Sequence, residues 1–337
     1  MKKALQKAAP LAVVVALVAA GIVGSRYAMN RAVGPRDGNP YEYSVGKLDE
    51  VPDGLILYRE MAGIEPQLTS LTAVSIDNDD NIYIAGGDAV VVTNRTGEER
   101  RRIDLTATPT CLDVAPNGRV VVGYRSKIIS YDTAGKRLHA FSDIPHGAVI
   151  SSVATGNGFV FAADARHRVI LKFHAGGNLI TTLDGRQGDE EGPHFLVPNP
   201  HFDVAVSGPY SMWVTNPGRH QIEQFDFAGN LRASWRRESM RLEDFCGCCN
   251  PTDIAVLSDG TLVTSEKGIV RVKVYTADGD FQGVVAGPDA FDPETVGLVL
   301  AVDSADRIYV LDPKQKAVRI FEYDGAQGSS STPNTES

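Results

Sequence analysis

The chain has no excess of basic residues. Its 33 Lys and Arg residues are outnumbered by 42 Asp and Glu residues, and the formal net charge is −9. Nucleic-acid binding needs clustered positive charge to meet the phosphates. The basic run Arg100–Arg102 directly follows Glu98 and Glu99, which is typical of a solvated strand edge. We therefore expect no nucleic-acid partner.

Familiar catalytic motifs are missing as well. The sequence contains no nucleophile elbow, no phosphate-binding loop and no convincing Ser-His-Asp set. Histidine is scarce, with 7 residues, and cysteine is scarcer, with 4. This composition makes an enzyme the weaker hypothesis and a binding protein the stronger one.

A long apolar run occurs near the N-terminus, from Ala8 to Gly24, after Lys2, Lys3 and Lys7. Its length lies between a secretory signal and a membrane span of about 20 residues. We favour an uncleaved, single-pass signal anchor over residues 1–31, with a cleaved signal peptide as the alternative. The positive-inside rule keeps the N-terminus in the cytoplasm. A stalk at 32–50 then carries the following domain on the periplasmic or extracellular side of the cell membrane.

What the chain does contain is a sixfold repeat. Each copy has a short alternating apolar strand, a polar turn and a second apolar strand, as in Ala73–Ile76 followed by Asn81–Ile84. The turn residues align at Asp80, Gly118, Asn157, Tyr210, Gly260 and Asp306. The first and last lie five repeats apart, so the period is about 45 residues, which is typical of propeller blades.

A third strand follows in every copy and a fourth, outer strand in five of them, whereas the sixth copy runs into a Ser-rich segment after Gly325. An orphan strand at 55–59 remains at the other end. We expect it to complete the sixth blade, because an open ring would expose unpaired strand edges. The sequence thus predicts an all-β, six-bladed β-propeller over residues 51–325, followed by a disordered tail at 326–337.

The repeats resemble the blade signature of the NHL family. The segments that carry the resemblance are Asp253–Val256 with Asp259 and Gly260, and Asn216–His220 with Phe225, Asp226 and Gly229. It covers residues 55 to 325 and implies a six-bladed propeller. NHL propellers include ligand-binding sensors, protein or RNA platforms and a few lyases, so the fold alone does not choose a function. The metal-dependent lyases that cleave peptidyl hydroxyglycine need several channel histidines, and this chain has few.

The cysteines are unevenly distributed. Cys246, Cys248 and Cys249 crowd into one segment, and Cys111 opens the inner strand of the second blade. We expect all four on one face of the disc, near the channel. Three interpretations compete: structural disulfides such as Cys246–Cys249, a thiolate site for copper, zinc or an iron–sulfur centre, and a redox-active thiol pair. In the metal interpretation, Cys111 or His201 supplies the fourth ligand.

Other polar residues fall on the same face. His146, His194 and His201 lie in connections between blades, and Asp253 begins the inner strand of the fifth blade. Loops on a rigid scaffold commonly host binding sites. The leading hypothesis is therefore a membrane-anchored, exported binding module whose partner is an envelope protein or a small ligand. The alternative is a protein-interaction scaffold with purely structural disulfides.

Overall fold

The computed structural model describes residues 50–188 and 191–325. These residues form six sheets of four strands each, and every neighbouring pair of strands within a sheet is antiparallel. The predicted all-β, six-bladed propeller is confirmed. Short 3₁₀ turns occur at Asp53–Leu55, Pro217–Arg219 and Pro288–Ala290.

Strands are numbered in chain order, and those of each blade are given from the innermost to the outermost. The strands of blades one to three are β2 Ala73–Ile76, β3 Ile82–Gly86, β4 Ala89–Thr93 and β5 Glu99–Asp104; β6 Cys111–Val114, β7 Val120–Tyr124, β8 Lys127–Tyr131 and β9 Arg137–Ala140; β10 Ile150–Gly156, β11 Phe159–Asp164, β12 Val169–His174 and β13 Leu179–Leu183. Those of blades four to six are β14 Val204–Ser207, β15 Ser211–Asn216, β16 Gln221–Asp226 and β17 Leu231–Arg236; β18 Asp253–Val256, β19 Leu262–Glu266, β20 Arg271–Tyr275 and β21 Phe281–Ala286; β22 Val299–Val302, β23 Ile308–Asp312, β24 Ala317–Tyr323 and β1 Tyr58–Ile64.

Burial along the strands follows from the stacking of blades. The middle strands β3 and β4 are buried at every residue, because each blade packs between two others, and they consist mainly of Ile, Ala and Val. β-Branched side chains suit such pleated, two-sided packing. The outer strand β17 instead alternates between half-buried and exposed residues, as expected where only one face is covered. The core is thus a series of layers between adjacent blades.

The aligned turns connect the first and second strands of each blade. Asp80, Asn157 and Asp306 adopt positive φ angles of 56°, 48° and 59° there. Asp and Asn tolerate this left-handed conformation better than most residues. These turns lie on one face of the disc, and the connections between consecutive blades lie on the other, which we call the connection face.

The ring closes through a strand from the N-terminal side of the propeller, but not at the residues expected. The prediction placed the strand at 55–59, whereas β1 begins at Tyr58 and pairs with β24 from Tyr58 opposite Tyr323 to Ile64 opposite Val318. The apolar residues before it have another role. Ile56 bridges Val284 of β21, and the Leu57 side chain packs beside Gly283. Residues 55–57 are apolar because they fill the gap between blades five and six, and this apolar pattern led to the prediction of a strand there.

In residues 50–188 and 191–325, no helix is long and apolar enough to cross a membrane. The predicted anchor at 1–31, almost all of the stalk at 32–50 and the tail at 326–337 lie outside the described residues. The apolar run from Ala8 to Gly24 falls within that N-terminal part.

Candidate functional site

The inner strands of the six blades enclose a channel along the ring axis. The channel cavity has a volume of about 330 Å³. On the connection face it adjoins a second cavity with a larger volume of about 560 Å³, which we call the channel mouth. The residues that line both cavities are Thr72, Thr110, Ser151, Asp203, Asp253 and Val299. A ligand in the mouth therefore reaches the upper end of the channel.

One channel carboxylate joins three blades. Asp113 of β6 accepts hydrogen bonds from Ser75 Oγ of blade one at 2.8 Å and from Thr155 N and Oγ1 of blade three at 2.7 and 2.8 Å. Burial raises the pKa of the Asp113 carboxyl, although these donors oppose the shift. The Asp113 side chain therefore has a structural role, because it holds the inner strands of three neighbouring blades together in the channel.

Two further carboxyls stand where the channel meets its mouth. Asp203 Oδ2 accepts a hydrogen bond from Ile254 N at 2.8 Å, and Asp253 Oδ1 accepts one from Leu300 N at 2.9 Å. Burial raises the pKa of both carboxyls, and the Asp203 charge raises the pKa of Asp253 further. The pair therefore retains a proton more readily than isolated carboxyls do. It can accept hydrogen bonds or a positive charge from the mouth.

His201 lines the channel mouth. Burial lowers the pKa of its imidazole, and the nearby Lys267 charge lowers it further. The ring is therefore neutral around pH 7 and has one donor and one acceptor nitrogen. A Cβ at Gly297 would lie 3.8 Å from His201 Cε1, so this glycine leaves space in front of the ring.

The other two predicted face histidines do not line the channel or its mouth. His194 Nε2 lies 2.8 Å from Oε1 of the buried Glu223, and its backbone carbonyl accepts a hydrogen bond from Arg219 Nε at 2.9 Å. His146 is exposed in the connection before blade three. Of the three histidines, the structure brings only His201 to the mouth.

The connection between blades four and five carries the cysteine-rich segment. Phe245, Cys246 and Cys249 are buried, and Cys248 is exposed. The Phe245 ring lies between Trp235 and Tyr275, at centroid distances of 5.9 and 5.5 Å. This aromatic packing fixes the segment against the sheet of blade five.

A buried ion cluster of Glu266, Arg271 and Lys273 lies beneath the same segment. Lys273 Nζ pairs with Glu266 and donates to the carbonyls of Leu242 and Asp244 at 3.0 and 2.9 Å. Arg271 Nη2 contacts Glu266 Oε2 and the Asp244 carbonyl, both at 3.1 Å. Two cations and one carboxylate thus hold the backbone of the connection in place.

Cys246 turns inward onto this cluster. Its Sγ lies 3.5 Å from Arg271 Nη2. Burial raises the pKa of the Cys246 thiol, and the Arg271 charge opposes that shift. The buried thiol therefore faces the ion cluster in the protein interior.

Cys111 does not join the other cysteines, so its place as the fourth ligand in the metal interpretation is not supported. Its side chain belongs to a core cluster between blades two and three, and a Cβ on Gly123 would lie 2.3 Å from its Sγ. Burial raises the pKa of the Cys111 thiol to about 12. The thiol acts as a small apolar group in the blade interface.

All four cysteines are free thiols in the structure. Among residues 50–188 and 191–325, no group of three or more His, Cys, Asp and Glu side chains is placed to hold a metal ion. The disulfide and soft-metal interpretations of Cys246, Cys248, Cys249, Cys111 and His201 are thus not confirmed.

Sequence reasoning missed the buried ion cluster. Lys273 stands between Val272 and Val274, so strand alternation assigns it to a solvent-facing position. The structure buries it because the connection between blades four and five folds over that position. The length of this connection indicated that it could cover a neighbouring strand. Nothing in its sequence indicated that it would cover Lys273.

No family model matches the chain, and no curated protein matches it. Solved structures do resemble it. "Streptogramin B lyase structure" covers 80% of this chain and 99% of its own, at 10% identity and a TM-score of 0.58. The WD40 β-propeller domain of Doa1 covers 77% and 80%, at 14% identity and 0.54. Virginiamycin B lyase from Staphylococcus aureus covers 75% and 81%, at 13% identity and 0.53. At these identities the likeness shows the propeller fold alone, and the NHL family is not confirmed.

Proposed function

We propose that the propeller is a binding module that holds a small organic ligand in the channel mouth. The observation that carries the proposal is the cavity of about 560 Å³ on the connection face, with His201 and the Asp203–Asp253 pair on its lining. Small-molecule sites are typically concave and largely apolar, with a few convergent polar groups.

The lining indicates the ligand's chemistry. Leu71, Val149, Phe202 and Leu298 supply apolar wall, and Asp203 and Asp253 supply acceptors at the inner end. A molecule with an apolar body and an amine or other donor group fits this arrangement. The neutral His201 ring adds one further donor and acceptor at the side.

The test blocks the mouth without touching its polar groups. Val296 lines the mouth and is 52% exposed, so Val296→Trp should fill the opening. Leu138→Trp is the matched control, because Leu138 is 42% exposed on the outer strand β9. Phenethylamine, tryptamine and leucinamide serve as probes in thermal unfolding.

We expect at least one probe to raise the Tm of the unaltered chain and of Leu138→Trp, and to leave Val296→Trp unchanged. Equal stabilisation of all three proteins would place binding elsewhere. If no probe stabilises any of them, the proposed ligand chemistry is wrong.

We further propose that residues 1–31 anchor the protein and that the propeller faces the extracytoplasmic side. The apolar run Ala8–Gly24 and the three preceding lysines support this. The full chain should stay in the membrane fraction after an alkaline carbonate wash, whereas a chain beginning at residue 32 should not. Protease added to spheroplasts should digest the anchored propeller. Release by carbonate, or protection from protease, would refute the anchor or its orientation.

A protein partner in the envelope and a lyase activity are weaker proposals. Two of the similar solved propellers are named lyases, but the channel mouth of this chain contains one of the three predicted histidines. The soft-metal site at Cys246–Cys249 also stays a prediction. Element-resolved analysis of anaerobically purified protein tests it, because stoichiometric copper, zinc or iron would establish a site and metal-free protein would remove it.

A further inference from the structure

The thiols of Cys248 and Cys249 differ from every other cysteine pair in the described chain. They are adjacent in sequence. Cys248 is exposed, and Cys249 is 3% exposed. One thiol is therefore open to solvent, and the thiol of the next residue is buried.

The surrounding chain holds this pair in place from both sides. Asn250 Nδ2 donates to the carbonyls of Cys246 and Lys267 at 2.7 and 3.0 Å, and Asn250 Oδ1 accepts from Lys267 N at 2.9 Å. On the other side, the Asp244 carbonyl is fixed by Arg271 and Lys273. The pair thus sits on a short segment between two anchors.

We propose that Cys248 and Cys249 are a reversible redox site that exchanges with an external disulfide to form a vicinal Cys248–Cys249 disulfide. This is the redox-pair interpretation of the Cys246–Cys249 segment, distinct from the soft-metal one, and it does not depend on ligand binding in the mouth. Cys246 takes no part, because its thiol is turned onto Arg271 at 3.5 Å.

The exchange proceeds in two balanced steps. The Cys248 thiolate attacks one sulfur of the external disulfide, so a mixed disulfide forms and one thiol is released. Cys249 then loses its proton to solvent and attacks the Cys248 sulfur, and the second thiol leaves. Two protein thiols are oxidised to one disulfide, and the external disulfide is reduced to two thiols.

The environments of the two thiols assign this order. Cys248 is exposed, so an external disulfide can reach its thiol, whereas the 3% exposed Cys249 is shielded from that disulfide. Cys249 therefore reacts second, once its neighbour in the chain, Cys248, carries the leaving group. Adjacent Cα atoms lie about 3.8 Å apart, less than the usual span of a disulfide, so the product should be easily reduced.

The test treats the reduced full chain with glutathione disulfide, followed by alkylation and peptide mass analysis. The unaltered chain should lose free thiol at Cys248 and Cys249 together and carry no glutathione. Cys249→Ser should accumulate about one glutathione per chain on Cys248, because the second step is missing. Cys248→Ser should react at neither position. Cys246→Ser, the matched control, should behave like the unaltered chain.

Three results would overturn the proposal: Cys246→Ser does not form the Cys248–Cys249 disulfide, Cys249→Ser carries no glutathione on Cys248, or the unaltered chain does not react. A second measurement needs no variant, in case Cys249→Ser does not fold. Phenylarsine oxide condenses with two neighbouring thiols and releases water. It should protect Cys248 and Cys249 from alkylation as a pair, and alkylation of both despite the reagent would contradict their pairing.

Discussion

Lys273 is a cation with no access to solvent. Burial, with a smaller contribution from the Arg271 charge and against the opposing effect of Glu266, lowers its pKa from 10.5 to about 8. Between these two values the unfolded chain keeps a proton that the folded chain has released. The free energy of unfolding should therefore rise with pH across this window, by on the order of 1 kcal/mol per pH unit.

The replacement Lys273→Met removes this titration. We expect the unaltered protein to gain about 1–2 kcal/mol over Lys273→Met between about pH 7.5 and pH 9.5. Lys127→Met is the control, because Lys127 is exposed and its loss should leave the pH profile parallel to that of the unaltered protein. Urea unfolding at both pH values measures the difference. Parallel profiles for Lys273→Met and the unaltered chain would mean that Lys273 is not strongly shifted.

At the scale of the elements, the closing strand β1 is held to β24 by one ion pair with good geometry. Arg319 Nε and Nη2 contact the two carboxylate oxygens of Glu60 at 2.7 and 2.6 Å, and Arg319 Nη1 donates to the Ala290 carbonyl at 2.6 Å. Arg319 is buried, whereas the Glu60 side chain is 44% exposed. Solvent screening of Glu60 reduces the Coulomb term, but the loss of Glu60 leaves a buried guanidinium short of acceptors.

Glu60→Ala should therefore lower the free energy of unfolding by about 1–2 kcal/mol. The control is Glu322→Ala, whose carboxylate lies 3.6 Å from Arg59 in an exposed pair, and it should cost under about 0.5 kcal/mol. Hydrogen exchange of the Tyr58–Ile64 amides should speed up in Glu60→Ala alone. Equal effects of the two replacements would show that the bidentate pair does not hold the strand.

The strands show how far the sequence could predict this molecule. The inner strands at Ala73–Ile76 and Asp253–Val256 were predicted at their observed bounds, because apolar alternation there reflects burial inside one blade. The closing strand was misplaced, since its apolar predecessor at 55–57 packs on a different blade. His201, which the sequence put in a connection between blades, lines the channel mouth. The direction of the cysteine side chains, which separates Cys111 and Cys246 from the other two, is set by tertiary contacts that no spacing encodes.

At the scale of the whole molecule, the ring is joined at both of its faces. Towards the connection face, Asp203 and Asp253 bind the backbone of the next inner strand. On the opposite face, Asp80 accepts hydrogen bonds from Ser304 N and Oγ at 2.9 and 2.8 Å, which ties blade six to blade one. Contacts between the two ends of a chain are costly in loop-closure entropy and form only when the ring is complete. The free energy of unfolding of the whole propeller should therefore depend on whether the ring is closed.

Removal of the closing strand tests this dependence. A chain of residues 50–337 retains β1 and should unfold in one cooperative transition, whereas a chain of residues 66–337 leaves β24 as an unpaired edge in the sixth blade. Such an edge pairs with other chains, so the shorter protein should have a lower Tm and a larger mass by light scattering. A peptide of residues 50–66 added in trans should restore both, because it supplies the missing β-ladder. If the shorter chain is monomeric and equally stable, the ring does not need β1, and the five complete blades together with β22–β24 hold the channel by themselves.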